Sequence, residues 1–303
     1  MSGDAGIAFA EALVIIDEVA AGHRLASESL ALSRTHGRVL ARPVRAQESA
    51  THEATLLDAG QVLTPDQVAL AASLGLASLQ VARKPTVAVF TSDDHLVEPG
   101  MPLEPGQAYD SNRELLMGLL RADGLEPTAW PRLPGDRRQV EIALRDAGCA
   151  FDLIIACGDV LAGAHDHVAG VLAQFGQQHF RDVQMQPGGH VLFGSLDQAR
   201  LFALAGDPLA VLATYLTLGR ALIDGLQGRV DSRPVWHARL TGPVEKTSPR
   251  HEFRRARVFS DRGGQLLAEA KPETVAAPNA LIVLPEATRH LAAGDAVEVV
   301  GYH

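Results

Sequence analysis

From Lys84 onward, short apolar runs alternate with segments of helical periodicity, and this alternation restricts the fold more than any other feature of the chain. It is typical of a parallel sheet whose strands are joined by crossover helices. Buried strands or extended segments are predicted at residues 86–90, 151–156, 180–185, 190–194 and 201–204. We therefore expect a central α/β domain with helices on both faces of the sheet.

Several helix starts can be located from capping residues. Thr64-Pro65 and Asp207-Pro208 each place a capping side chain before a proline at the first helical position. Asp110 precedes Ser111-Asn112, and its oxygens can accept hydrogen bonds from the first free amides. These signals predict helices from 65 to about 75, from 111, and from 208 to about 226. Apolar spacing predicts two further helices, at 7–21 and 27–36.

The last part of the chain has the pattern of a small β domain. Short apolar runs are separated by turn signals at Gly242-Pro243, Gly263-Gly264, Pro278-Asn279 and Gly294-Asp295. With 303 residues the chain has room for two or three domains. We predict an N-terminal helical and extended segment (1–83), a central α/β domain (84–228) and a C-terminal β-barrel-like domain (229–303).

Charge and cysteine content exclude several classes of function. The formal net charge is -9, so nonspecific attraction to nucleic acid or to an anionic membrane is not expected, and any anion site must be local. We expect no segment to span a bilayer, because no apolar run approaches the roughly 20 residues that this requires. The two cysteines are too few for a disulfide framework, and no basic segment precedes the first apolar stretch. These features predict a soluble cytoplasmic protein.

In an open α/β sheet, ligands bind beyond the carboxyl ends of the strands, where loops and helix N-termini meet. The loops at 91–110, 157–166, 186–190 and 205–208 are therefore the candidates for a site. Read together, they resemble the molybdopterin molybdenumtransferase family, MoeA and the E-domain of gephyrin. The matching segments are Thr91-Ser92-Asp93-Asp94-His95-Leu96, Tyr109-Asp110-Ser111-Asn112, Gly158-Asp159-Val160-Leu161-Ala162-Gly163, Gln186-Pro187-Gly188-Gly189-His190, Leu204-Ala205-Gly206-Asp207-Pro208 and the stretch Arg250 to Arg255.

The resemblance implies a fold, a ligand and partners. The fold would be a central three-layer α/β domain of the MogA/MoaB type between the two flanking regions. The ligand would be molybdopterin or its adenylate, with Mg or another divalent metal, and the protein would be a homodimer that works with other proteins of molybdenum cofactor biosynthesis. Asp94, Asp136 and Asp166 match the family's catalytic carboxylates. The residues that match its ligand-binding loops are Ser111, Asn112, Gly158, Gly163, Pro187, Gly188, Gly206 and Pro208.

The chain departs from the family pattern within these same loops. Asp159 stands at the second glycine of the phosphate loop, and Leu161 replaces a serine. Gln186 and Gly189 replace both lysines of the Pro-Gly loop, which removes two cations. His95 and Asp207 replace a glutamate and an asparagine. These changes oppose anion binding, and they predict a transferase activity that is lost or strongly reduced, the alternative being an active molybdotransferase.

A larger departure lies near residue 50. The family carries there an inserted domain with a Ser-Ala-Met-Asp-Gly-Tyr-Ala motif, which is absent from this chain. Only the polar stretch 47–55 occupies that place. The resemblance therefore implies a homologue that lacks the inserted second domain, with a site more open to water.

Individual residues allow more than one interpretation. Asp166 is either a helix cap or a ligand, whereas for Asp110 and Asp207 the cap is favoured. Four loop histidines, with Asp94 or Asp166, could form a metal site and support a metal-dependent reaction; they are His95, His165, His167 and His190. The alternative is solvent-exposed loop histidines.

The remaining candidates favour structural roles. The arginines at 250–257 are interpreted as a solvated face, with an anion or partner contact left open. Trp236 and Phe253 are predicted to be core residues. No base lies within recognisable spacing of Cys157, so a nucleophilic role is not expected.

Overall fold

A computed structural model describes residues 6–49, 52–92, 95–158, 161, 167–246, 248–270 and 278–302. The chain forms two compact units. The first comprises Met1–Ala12, Thr86–Gly219 and Val235–His303, and the second comprises Leu13–Pro85 and Arg220–Pro234. The three-region division at residues 83 and 228 stays a prediction.

The described residues contain seven α-helices and twenty strands. The helices are α1 Phe9–Ala21, α2 Pro65–Ser73, α3 Ser111–Ala122, α4 Arg137–Ala150, α5 His167–Phe175, α6 Pro208–Thr214 and α7 Arg220–Leu226, with a π-helical turn at Tyr215–Gly219 between the last two. The strands are β1 Ser27–Ala31, β2 Val44–Ser49, β3 His52–Leu57, β4 Ser78–Ala82, β5 Val87–Ser92, β6 Leu96–Val97, β7 Ala108–Tyr109, β8 Thr128–Ala129, β9 Leu153–Gly158, β10 Gly176–Arg181, β11 Met185–Gln186, β12 Val191–Leu196, β13 Ala199–Ala205, β14 Trp236–Leu240, β15 Val244–Glu245, β16 His251–Ser260, β17 Leu266–Glu269, β18 Ala280–Leu284, β19 His290–Leu291 and β20 Ala296–Gly301.

The central sheet of the first unit has six strands in the order β10-β12-β13-β9-β5-β8. The four strands β13, β9, β5 and β8 are parallel, as the alternation of apolar runs and helices predicts. β12 and β10 add to one edge in antiparallel orientation. Strands β5, β9 and β13 are buried along almost their whole length because both faces of the sheet are covered by helices there.

Two helical layers enclose this sheet. On one face, Leu144 of α4 and Leu172 of α5 pack against the residues of β9 and β13 that include Ile154 and Leu201. On the other face, α6 lies against Ile155, Phe202 and Leu204, and α3 packs beside α6 and β5. Consecutive strand residues thus face opposite layers, which gives the predicted three-layer α/β domain.

The C-terminal region forms a closed five-stranded barrel. Strands β16, β17, β14, β20 and β18 follow one another, and the pairing of β16 with β18 closes the ring. Its core is filled by inward residues such as Ala256, Ile282 and Val299. Strand β11 pairs in parallel with the first residues of β16, with Gln186 opposite Glu252. This pairing connects the Pro-Gly loop to the barrel.

The prediction of a helix at 27–36 is wrong. Residues Ser27–Ala31 form β1, which pairs antiparallel with β4 and places Leu30 opposite Leu79. Only Leu32–Arg34 is helical, as a single 3₁₀ turn. The pairing with β4 buries Leu30 against a partner about fifty residues away in sequence, and local periodicity carries no information about that contact.

The described residues of the polar stretch near residue 50 lie in two paired strands. β2 pairs antiparallel with β3, and this pair lies where the resemblance implies an inserted domain. Val44 and Leu57 contribute to a small core with Leu63, Val68 and Val81.

Most helix starts agree with the caps read from the sequence. The backbone N–H groups of Arg113 and Ala210 donate to the side chains of Asp110 and Asp207, at 3.1 and 2.8 Å. The backbone N–H of Thr64 donates to Gln67 at 2.9 Å, as in a capping box.

Two expectations from the sequence are wrong. The stretch Pro208–Leu226 is long and apolar enough to cross a bilayer, although no such run was expected. However, 72% of its apolar window is buried within the protein, which is typical of a core helix. Trp236 is 55% exposed rather than in the core, because it begins β14 and the barrel core starts two residues later at Ala238. Phe253 is buried, as predicted.

Candidate functional site

Three parallel strands end at the same level of the central sheet. Ser92 of β5 and Ala205 of β13 both stand in register with Gly158 of β9. The loops that follow these strands therefore emerge side by side at the carboxyl edge, where α/β proteins bind ligands. The predicted site loops at 91–110, 157–166 and 205–208 all begin here.

The backbones of these loops approach one another too closely for side chains. Gly158 has a φ of +115°, and a Cβ at this position would lie 2.1 Å from the carbonyl oxygen of Ser92. A Cβ at Gly206 would lie 3.2 Å from the Cα of Gly158. The fold thus requires glycine at position 158, whatever ligand the loops hold, and a side chain at position 206 would need the loops to shift slightly apart.

Asn112 connects two of the loops. Its side-chain amide donates to the carbonyl oxygen of Gly206 at 2.6 Å, and the residue is only 7% exposed. Its side-chain oxygen Oδ1 is buried without a hydrogen-bond partner. A buried acceptor without a donor is costly, so this atom could accept a hydrogen bond from an N–H or O–H group of a bound molecule. Ser111, the first residue of α3, is exposed beside it.

A polar network that the sequence did not reveal lies beneath the loops. The hydroxyl of Thr91 donates to Asp110 at 2.7 Å, and Nη2 of Arg113 donates to the Thr91 hydroxyl at 2.8 Å. Arg113 also forms an ion pair with Asp110 at 3.3 Å. The spacing of Asp110 and Arg113 on a helix is a detectable signal, but the contact of both with Thr91 depends on the packing of α3 against β5.

Cys157 lies next to this network and is unsuited to nucleophilic chemistry. It is fully buried at the end of β9, and its Sγ lies 3.6 Å from the carbonyl oxygen of Phe90. Burial raises the pKa of its thiol to about 12, and the charge of Asp110 acts in the same direction. The thiol is therefore neutral, which agrees with the sequence interpretation.

The Pro-Gly loop packs against the helix that follows β13. The peptide bond between Gln186 and Pro187 is cis, and Gly188 has a φ of +88°. A Cβ on Gly188 would lie 2.3 Å from the hydroxyl oxygen of Thr214 in α6. Pro208 forms the first turn of the same helix. Of the predicted ligand residues, Gly188 thus packs against α6 and Pro208 begins it, while Pro187 precedes Gly188 in the loop.

The structure describes only some of the predicted catalytic carboxylates and metal-binding histidines. Asp136 is exposed and caps α4 by accepting from the backbone N–H of Gln139 at 3.0 Å. His95 lies in an exposed turn, and His190 is 79% exposed with its Nδ1 3.2 Å from Asp182. Asp94, Asp159, Gly163, His165 and Asp166 lie outside the described residues. Within the described ranges, no three histidine, cysteine or acidic residues form a group that could hold a metal. The metal sites, both the divalent ion and the histidine cluster, therefore stay predictions.

Comparisons with known proteins agree with this geometry. Residues 88–224 match a family described as "Probable molybdopterin binding domain". The chain is 32% identical over 253 residues to the molybdopterin molybdenumtransferase of Haemophilus influenzae, and 31% identical over 267 residues to molybdopterin molybdenumtransferase 2 of Mycobacterium tuberculosis. The chain belongs to the MoeA-like molybdopterin molybdenumtransferase family.

The MoeA-like assignment extends to the fold. The structure of a molybdopterin biosynthesis MoeA protein from Pyrococcus horikoshii superposes with a TM-score of 0.77 at 19% identity, covering 98% of this chain and 99% of that one. A molybdenum cofactor biosynthesis protein from Pyrococcus furiosus gives 0.73 at 23% identity, covering 97% and 98%. The alignments to the two sequence relatives cover 80% and 84% of this MoeA-like chain, but only 63% and 66% of the relatives.

Proposed function

We propose that this MoeA-like protein of molybdenum cofactor biosynthesis has a molybdopterin molybdenumtransferase activity that is lost or strongly reduced, and that it serves the pathway as a scaffold or regulator. We also propose that it works in the cytoplasm as a homodimer. The observation that carries the first proposal is the geometry of the Pro-Gly loop at Gly189.

At Gly189 the loop has no room for a lysine. A Cβ there would lie 2.7 Å from the carbonyl oxygen of Met185 and 2.9 Å from that of Val183. Both contacts are with backbone, which cannot move aside as a flexible side chain can. The loop is therefore built around glycine, and the cation that the family has at this position cannot be regained by one substitution.

Charge in the remaining loop positions supports the same conclusion. Gln186 is neutral where the family has its other lysine, Leu161 lacks a hydroxyl donor, and Asp159 adds a negative charge to the sequence of the phosphate loop. At an effective dielectric constant of about 20, one charge pair at about 4 Å contributes roughly 4 kcal/mol. Losing two such pairs and adding a repulsive one would strongly weaken the binding of a phosphorylated substrate.

One observation favours the second candidate, an active molybdotransferase. The Nη1 atom of Arg250 lies 3.5 Å from the position that a Cβ on Gly189 would occupy. A guanidinium group therefore stands beside the loop, and it could replace part of the missing positive charge.

Molybdenum insertion tests the proposal directly. Purified protein is incubated with adenylylated molybdopterin, molybdate and Mg²⁺, and AMP release and molybdenum-loaded cofactor are measured against the Haemophilus influenzae relative. We expect a rate at least about 100-fold lower, equivalent to about 2.7 kcal/mol of transition-state stabilisation. The double variant Asp159→Gly, Gln186→Lys should recover part of it.

Two results would decide for the second candidate. A wild-type rate equal to that of the relative would exclude the reduced activity, and loss of that rate in Arg250→Met would assign the charge compensation to Arg250.

Equilibrium sedimentation tests the homodimer, since a monomer at micromolar concentration would contradict it. Metal analysis of untagged protein tests the histidine and divalent-ion sites.

A further inference from the structure

An open pocket of about 310 Å³ is lined in part by Gly189. Asp182, Val183, His190 and Arg250 contribute to its lining. The volume is at the lower end of the range for small-molecule sites. The pocket thus presents a carboxylate and a guanidinium group to the same small space.

One wall of the pocket attracts cations. Asp182 adopts a left-handed backbone conformation with a φ of +59°. Its backbone is held by the N-terminal segment, because the backbone N–H of Ile7 donates to the carbonyl oxygen of Asp182 at 3.0 Å and a Cβ on Gly6 would lie 2.4 Å from the carbonyl carbon of Asp182. Val183 also lines the pocket, and its carbonyl oxygen lies 2.9 Å from the position that a Cβ on Gly189 would occupy. A carboxylate and a carbonyl oxygen are the groups that bind an ammonium ion.

A second lining residue, Arg250, attracts anions. Arg250 approaches Gly189 from the barrel side, with Nη1 3.5 Å from the vacant Cβ position. Its backbone N–H donates to the hydroxyl of Ser248 at 3.1 Å, which fixes the turn that carries it. The planar guanidinium group matches a carboxylate through two parallel hydrogen bonds.

We propose that this pocket binds a small zwitterion of the amino-acid class, with its carboxylate on Arg250 and its ammonium group on Asp182. A doubly charged oxyanion fits less well, because the carboxylate of Asp182 repels it at short range. His190 lies 3.2 Å from Asp182 and is largely exposed, so it can move aside when the ammonium group takes its place. The proposal holds whether or not transferase activity remains.

Titration calorimetry of the full chain tests the pocket with defined probes. The zwitterions are glycine, β-alanine and γ-aminobutyrate; acetate and ethylammonium each carry one of the two charges; molybdate and phosphate are the oxyanions. We expect at least one zwitterion to bind about tenfold or more tightly than either singly charged probe, a difference of about 1.4 kcal/mol. Binding of none of the probes, or tighter binding of molybdate or phosphate than of every zwitterion, would overturn the proposal.

Single substitutions test the contributions of Arg250 and Asp182 separately. Arg250→Met and Asp182→Asn should each weaken zwitterion binding about tenfold or more. Asparagine tolerates the left-handed conformation, so Asp182→Asn should still fold. This variant should also bind acetate and molybdate more tightly than the wild type, which a general loss of structure would not produce. Arg257→Met, at an exposed arginine of β16, the strand that follows Arg250, is the matched control. Unchanged zwitterion affinity in Asp182→Asn would contradict the assignment.

Discussion

The side-chain amide of Asn112 donates to the backbone carbonyl oxygen of Gly206 at 2.6 Å, across 94 residues of sequence. This bond fixes the start of α3 against the loop that precedes α6. Replacing Asn112 with alanine leaves the Gly206 carbonyl without its donor, so we expect the free energy of unfolding to fall by about 1–3 kcal/mol. Urea unfolding measures the change, with the exposed neighbour Ser111→Ala as a control that should stay within about 0.5 kcal/mol. Equal losses in the two variants would show that the bond contributes little.

Two glycines give opposite predictions for the same substitution. Gly158→Ala places a methyl group 2.1 Å from the carbonyl oxygen of Ser92 at a φ of +115°, so we expect a loss of about 3 kcal/mol or more. Gly118→Ala lies on the open face of α3, with nothing within 4 Å, and should stabilise the protein by about 0.5–1 kcal/mol. Thermal unfolding of both variants checks the pair. A tolerated Gly158→Ala would mean that the strand ends can separate.

Asp136 is expected to act as a helix cap. Asp136→Ala removes the acceptor of the Gln139 N–H and should cost about 1 kcal/mol, whereas Asp136→Ser retains a capping oxygen and should cost less than about 0.5 kcal/mol. The comparison is made by chemical unfolding at neutral pH. If the serine variant lost as much stability as the alanine variant, the carboxylate charge itself would be needed.

The two cysteines should differ in reactivity. Cys149 is exposed, and Cys157 is buried with its pKa raised to about 12. At pH 8 an aromatic disulfide reagent should modify Cys149 in the native protein and reach Cys157 only after unfolding. Cys149→Ser serves as the control, since its native form should not react. Rapid labelling of Cys157 in that variant would contradict the burial of the β9 strand end.

Cys157 also gives a prediction for stability at alkaline pH. The folded thiol has a pKa of about 12, above its ordinary value of 9.0, so the folded state holds this proton more tightly than the unfolded state. The stabilisation is fully present below pH 9 and is lost as the pH rises towards 12. Cys157→Ala lacks this contribution, so its unfolding free energy should fall less steeply over that range. Parallel slopes for the two proteins would rule out the effect.

Local patterns predicted much of the central domain. The starts of α2, α3 and α6 follow from Thr64, Asp110 and Asp207, because a capping bond joins residues only three positions apart. The parallel strands follow from apolar runs that are buried on both faces. The roles of single residues were harder to predict from the sequence. Asp136 matched a family carboxylate, and the structure shows in addition that its side chain accepts a hydrogen bond from a backbone N–H at the start of α4.

Local sequence patterns were sufficient to predict the parallel α/β domain, the β-rich C-terminal region and the motifs that place the chain in the MoeA-like family. The packed fold was needed to show that residues 27–31 form a strand, that Arg113 and Asp110 meet Thr91, and that Gly189 and Arg250 line one pocket. The difference arises from the separation of the contacting residues along the chain. Caps and periodicity act within one or two turns, whereas these contacts join residues about 20 to 60 positions apart and form only when the layers pack.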